Sequence, residues 1–175
     1  MILGLDVSTT TIGIAVLNEN EEILLSEALS LKKESCIENK GILFEKKLKE
    51  IKKDYNISQI VIEKPFAAFG KSTAHTIAIL NCFNGICRYV SRKVFNIIPT
   101  LVDPRSARSL FGIQNVKKAK NKHAKKEPII KFVYEKYKDS STPFEYELTR
   151  HGNPSGGVDD KCDAIILALY GKKNL

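Results

Sequence analysis

The chain has 175 residues, enough for one domain with a buried core, and its 43% apolar and 27% charged residues are ordinary for a soluble globular protein. Its 28 Lys plus Arg against 20 Asp plus Glu leave a net charge of +8, which favours a polyanionic partner, nucleic acid or an anionic membrane surface. No stretch approaches the roughly 20 apolar residues of a membrane span, and Met1-Ile2-Leu3-Gly4-Leu5-Asp6 has no basic n-region, so neither membrane insertion nor a signal peptide is expected.

Residues 2–7 and 12–17 read as strands joined by the turn Ser8-Thr9-Thr10-Thr11. In the second strand Ile12, Ile14 and Val16 alternate with Gly13, Ala15 and Leu17. The turn Asn18-Glu19-Asn20-Glu21 leads to a third strand over 22–28, which predicts an antiparallel meander. From about 38 to 53, Ile42, Leu43, Leu48 and Ile51 stand among lysines and glutamates at helical spacing. The apolar run 59–63 ends on Glu63 just before Lys64-Pro65, where proline cannot donate to a ladder and the strand should stop. Residues 72–90 read as an unusually apolar helix and 95–98 as the next strand. Asp103-Pro104 has the chemistry of a helix start. A lysine-rich segment, 117–126, precedes a helix over 128–137, a polar loop over 140–158 and a last helix over 159–170. Strand–strand–strand–helix followed by strand–helix alternation predicts one domain over 1–175. Its fold class is α/β, a mixed sheet with parallel crossovers and helices on its faces.

Cys36, Cys82, Cys87 and Cys162 show no C-x-x-C spacing and form no zinc set. Cys82, Cys87 and Cys162 lie in apolar helical runs and read as buried free thiols in a reducing, cytoplasmic setting.

Most acids sit among lysines on helix faces, but four do not. Asp6 lies inside an apolar strand, level with Ile2 and Gly4, where a lone carboxylate pays a desolvation cost unless it is paired or binds a metal. Glu63 ends another apolar strand. Asp160 and Asp163, three residues apart at the start of the last helix, share one face, and Ala164 to Ala168 anchor that helix in the core. Singly, each has a structural use: Asp6 could orient its turn, Glu63 could pair with a lysine, and acids favour a helix first turn. Together they suggest a cluster that needs cations to offset mutual repulsion. Hard oxygen ligands with no His/Cys set select Mg²⁺ or Mn²⁺, and three or four carboxylates suit a two-metal phosphodiester hydrolase.

At this point the sequence resembles a known family. Ile2-Leu3-Gly4-Leu5-Asp6 with its hairpin, then Val61-Ile62-Glu63, then Asp160-Lys161-Cys162-Asp163-Ala164 are similar, in order and spacing, to the motifs of RuvC-type Holliday-junction resolvases of the ribonuclease-H-like superfamily. The resemblance implies a five-stranded mixed sheet with helices on both faces. It also implies a structure-selective endonuclease that resolves four-way DNA junctions by paired symmetric nicks. Asp6, Glu63, Asp160 and Asp163 would be its catalytic, metal-binding acids, holding two Mg²⁺ ions for which Mn²⁺ can substitute. By the same resemblance Phe66, in Glu63-Lys64-Pro65-Phe66, would stack at the junction crossover. The helix 72–90 would make a homodimer, and Lys125-Lys126 would belong to a DNA-contacting element.

The chain departs from the family in having Val7-Ser8 where many bacterial members have Pro-Gly, which points to a phage-like or viral branch working in a bacterial or infected host cell. The loop 140–158 matches no family segment, and Asp159 is an alternative to Asp160 as ligand, because 159 and 163 also share a helix face. Lys118, Lys122, Lys125 and Lys126 are candidate phosphate contacts, with a solvated loop as the alternative. Phe66 and Phe69 could equally be core. Arg105 and Arg108 could be phosphate contacts or surface charges, and His75, His123 and His151 are too dispersed for ligands. The helix 72–90 is apolar almost all round, so one face asks for a second partner unless the helix is sandwiched within the monomer. Another ribonuclease-H-like nuclease shares the acid cluster. Asp6-Val7-Ser8-Thr9-Thr10 also resembles the phosphate loop of actin-like kinases, although no second such loop is present.

Overall fold

A computed structural model describes residues 1–65, 73–113 and 122–174, with main chain alone at 122–124. Strands β1 (Ile2–Val7), β2 (Thr11–Leu17), β3 (Ile23–Ser30), β4 (Gln59–Glu63) and β5 (Thr100–Val102) form one sheet in the order β3-β2-β1-β4-β5. The meander β1–β2–β3 is antiparallel, and β4 and β5 run parallel to β1. The helices are α1 (Ile37–Asp54), α2 (Ala74–Phe95), α3 (Pro104–Leu110), α4 (Lys122–Tyr137) and α5 (Val158–Asn174). This is the mixed α/β architecture expected from the sequence.

Strand alternation sorts the side chains onto two faces. Leu3, Leu5, Ile12, Ile14, Val16, Ile60 and Ile62 pack under α1 and α2, against Phe44, Leu48, Phe83 and Cys87. Ile2, Ala15, Leu17 and Val61 point the other way, into a core shared with α4 and α5. Asp6 and Glu63 fall on this second face by parity, in step with Ile2, Gly4 and Val61. The second face also carries small groups where α5 crosses it. A Cβ on Gly4 would collide with the Ala164 carbonyl and lie 2.8 Å from the Ala168 nitrogen, and one on Gly13 would collide with the Asp160 carbonyl. The glycines let a helix backbone rest directly on the strands.

The turn after β1 is closed by its own serine. Ser8 Oγ accepts from Thr11 N–H at 3.0 Å and donates to the Thr11 carbonyl at 2.8 Å. That hydroxyl is committed to the hairpin. The loop before α5 is pinned to the sheet edge: Thr142 Oγ1 accepts from Ile23 N–H at 3.0 Å, and Phe144 is buried in the core.

Three details differ from the sequence expectation. The expected strand over 95–98 is not one. α2 runs on to Phe95, stops on Asn96 in the left-handed region at φ 60, and the strand is Thr100–Val102. The buried residues Val90, Ser91 and Val94 continue the helical period, so Phe95 belongs to the helix and not to the apolar run that follows it. Helix α4 begins at Lys122 and carries Pro128 inside it rather than at its start. Cys87 and Cys162 are buried free thiols as expected, whereas Cys82 is exposed on the outer side of α2.

Candidate active site

Register places the acids. Asp6 pairs with Gly13 across the β1–β2 ladder, and Asp160 lies over Gly13. The absent side chain at position 13 is therefore what admits the first turn of α5 beside Asp6. Glu63 ends β4, the parallel neighbour of β1 on its other side, where Leu5 pairs with Ile62. The end of β4 is held from two directions: Asn84 Nδ2 of α2 donates to the Glu63 carbonyl at 2.9 Å, and Lys64 N–H donates to the Val102 carbonyl at 2.8 Å.

The four carboxyl groups interact. Burial raises the Asp6 carboxyl well above the ordinary carboxylate range. A hydrogen bond with the Glu63 side chain raises it further, as do the charges of Glu63, Asp163 and Asp160. Two carboxyls hydrogen-bonded to each other must share a proton, the expected response of converging acids without a cation. For Asp163, burial also raises the carboxyl; Arg108 opposes this, and Glu63 and Asp160 reinforce it.

Arg108 is the residue that sequence reasoning left undecided. It is neither a surface charge nor a free phosphate contact. Its Nε and Nη2 donate to Asp163 Oδ1 at 2.9 and 2.7 Å, and Nη2 also reaches Oδ2 at 2.7 Å. Burial disfavours the guanidinium charge, but Asp163, then Asp6 and Glu63, hold it above its ordinary value. Arg108 is thus the cation of the acid cluster, brought there by α3 immediately after β5. The short helix is started by Asp103, whose side chain accepts from Arg105 N–H at 2.7 Å, with Pro104 at the first helical position.

Asp159 and Asp160 separate. Asp159 is ion-paired with Lys126 of α4, whereas Asp160 is the one that acts on Asp6 and Asp163. Lys125 is exposed at the start of α4, and Lys126 is half-buried. Lys122 is described by its main chain alone. Phe66 and Lys118 lie outside the described residues, as do Phe69, Lys117 and Lys120. Tyr89, on the outer side of α2, is 66% exposed, and Ala74, Ala78 and Cys82 are exposed as well.

An oxygen-only set of carboxylates has the donor chemistry of a hard divalent cation. As the side chains stand, no group of three or more His, Cys, Asp or Glu among the described residues is spaced to hold a metal ion. Asp6 and Glu63 spend oxygens on one another, and Asp163 spends both on Arg108. A metal shell at this place would take the oxygens of Asp6, Glu63 and Asp160, and those of Asp163 once Arg108 gives them up. No helix among the described residues is long and apolar enough to cross a membrane.

No family model and no curated protein matches the sequence. Solved structures do. RuvC of T. thermophilus in complex with a Holliday junction substrate superposes with a TM-score of 0.62 at 12% identity, over 99% of this chain and 95% of that one. A second Thermus thermophilus RuvC structure gives 0.61 at 12% identity, over 98% and 95%. The yeast mitochondrial Holliday junction resolvase gives 0.58 at 17% identity, over 95% of this chain and 75% of that one. At such identities the likeness speaks for the fold, and it spans nearly the whole chain: this protein has the ribonuclease-H-like fold of RuvC-type resolvases.

Proposed function

We propose that the chain is a single-domain, structure-selective DNA endonuclease that resolves four-way junctions by paired symmetric nicks, acting in the cytoplasm of a bacterial or infected host cell. One observation carries the reading. Inside a RuvC-type fold, Asp6, Glu63, Asp160 and Asp163 come from two strands and a helix to one place, where the other acids raise the carboxyls of Asp6 and Asp163. A fold needs no such arrangement, because converging carboxylates cost stability.

In this reading the four acids hold two Mg²⁺ ions, with Mn²⁺ as a substitute. Bound there, such ions supply an activated water and stabilise the leaving oxygen of the phosphodiester. The chain's own groups do the rest. Gly13 sets the depth of Asp160, the Asn84 amide holds the end of β4 through the Glu63 carbonyl, and Arg108 holds Asp163 until a cation takes its place. Lys118, Lys122, Lys125 and Lys126 of the basic segment would meet phosphates, and Phe66 would stack at the crossover. The net charge of +8 suits such a partner.

The same reading calls for a homodimer through α2. Ala74, Ala78, Cys82 and Tyr89 are exposed together with half-buried Ile79 and Leu80, which supports an outer side of this helix free to meet a second copy. A four-way junction has near two-fold symmetry, and a two-fold dimer offers two matched sites. The test is to incubate the protein and Asp6→Asn with Mg²⁺ and four-way, three-way, flap and linear duplex DNAs. Preferential paired nicking of the four-way junction, lost in Asp6→Asn while junction binding persists, is expected. Equal cutting of linear duplex, or cutting by Asp6→Asn, would refute it.

A further inference from the structure

Beside the acids lies a cleft of about 910 Å³ that the carboxylate chemistry does not use. Its lining comes mainly from α4, with Lys131 and Tyr134, and from a small hairpin over 147–155, with Thr149, Asn153 and Ser155. Lys32 just after β3, the β1–β2 turn and Asp160 of α5 line it as well. The hairpin belongs to the loop 140–158, which the sequence resemblance leaves unassigned.

The hairpin satisfies its own main chain. Thr149 N–H donates to the Asn153 carbonyl at 2.7 Å, Gly152 N–H to the Thr149 carbonyl at 2.9 Å, and Ser155 N–H to the Glu147 carbonyl at 2.9 Å. Gly152, at φ 74, makes the tight turn. What the hairpin presents is therefore side chains. Among the described residues Thr149, Asn153 and Ser155 make no side-chain hydrogen bond, so donors and acceptors line the cleft unspent. Opposite them the Tyr134 ring is 42% exposed and is held edge-on by Tyr146, centroids 6.1 Å apart at 85°. Tyr146 leans in turn on buried Phe144, at 6.0 Å.

A flat ring with an open face, neutral polar groups across from it, lysines at the rim and a carboxylate cluster at the end form a coherent set. A phosphate-only groove would need the lysines but neither the ring nor the amide. A nucleobase needs both: a face to stack on and partners for its hydrogen-bonding edge. We propose that the cleft receives one unpaired nucleotide of the strand being cut, stacks its base on Tyr134 and reads the base edge through Asn153, Thr149 and Ser155. Lys32 and Lys131 meet its phosphates, and the bond to be cut lies next to Asp160. The base must be unpaired, because a paired base keeps its edge and both faces inside the duplex. The inference rests on the junction-nuclease reading and adds what sets its sequence preference.

The test uses the full chain with Mg²⁺ and four-way junctions carrying each base in turn at the positions flanking the cut. The wild type should prefer one base at one flanking position. Asn153→Ala should reduce that preference about tenfold, the loss of one good base-edge contact. Its affinity for the junction, measured by gel shift in Ca²⁺, should stay within about threefold. A 2-aminopurine at the same position should change its fluorescence on binding to the wild type and to Tyr134→Phe, but not to Tyr134→Ala. Wild-type base preference retained in Asn153→Ala, Thr149→Val and Ser155→Ala, each shown to melt like the wild type, would overturn the inference. So would a wild type that cuts junctions with no base preference, which leaves the junction reading intact. A wild type that cuts no branched DNA refutes both.

Discussion

Replacing Arg108 by methionine removes the cation paired with Asp163 in the acid cluster. The guanidinium makes three hydrogen bonds to Asp163, and the two side chains keep only 28% and 16% of their exposure. Removing one partner of a buried pair costs about 3–5 kcal/mol, because the other is left charged and unsolvated. The residual exposure here brings the expected loss to about 2–3 kcal/mol. For a chain of this size that corresponds to a fall of roughly 4–12 °C in melting temperature. The measurement is thermal unfolding by circular dichroism in EDTA at neutral pH. The mechanism is stranded charge and not lost packing, so Arg108→Met combined with Asp163→Asn should recover more than half of the loss. Added Mg²⁺ should raise the melting temperature of Arg108→Met more than that of the wild type, since the ion then meets Asp163 without a competitor. A single variant melting within about 1 °C of the wild type would refute the reasoning, as would a double variant no more stable than the sum of the singles.

The Asp6 carboxyl is raised in the folded chain, so between its unfolded value near 3.8 and that raised value the folded state holds a proton that the unfolded state has lost. Metal-free stability should therefore fall as pH rises through this window, and Asp6→Asn should flatten the fall and be the more stable protein at neutral pH. Urea midpoints in EDTA from about pH 4 to 8 decide it, and a wild-type midpoint that rises across the range, or is matched by the variant's, sinks it. Gly13→Ala drives a methyl group into the Asp160 main chain. It should cost about 1–3 kcal/mol and reduce cleavage far more than junction binding, whereas unchanged cleavage would show that the depth of α5 is not critical. Light scattering at micromolar concentration should give twice the 19.6 kDa chain mass, and a monomer that still makes both nicks in one junction would exclude the dimer through α2.

The acids were legible because they broke a local rule. Carboxylates rarely stand in apolar strands, so Asp6 and Glu63 drew attention, and helical spacing joined Asp160 to Asp163. The same rule could not choose between Asp159 and Asp160, since both spacings put the pair on one face. What separates them in the structure is Lys126 of α4, which pairs with Asp159. Arg108 was illegible for a related reason: its partner is 55 positions away, and the seven-residue α3 has too little pattern to show which way it faces. Gly13 and Gly4 stood in a visible alternation, but small residues facing a helix and small residues facing solvent look alike until the helix is in place. The misplaced strand at 95–98 turned on one backbone conformation, the positive φ of Asn96, which separates the end of α2 from the apolar residues that follow it.

The burial of α5 has a dynamic consequence. Two of the four acids sit on its first two turns, and the residues immediately behind them, Ala164 to Leu169, form the centre of one of the two cores. This stretch cannot open without dissolving that core, so the amides of 164–169 should exchange with solvent only at the free energy of global unfolding. Arg108, by contrast, rides on a seven-residue helix at the rim, whose neighbours Arg105 and Ser106 are exposed. The cluster thus joins a half locked into the core to a half carried on a short, partly exposed helix. If the proposed function holds, the rearrangement that admits an ion should fall on the arginine side, while the acids of α5 stay in register with the sheet.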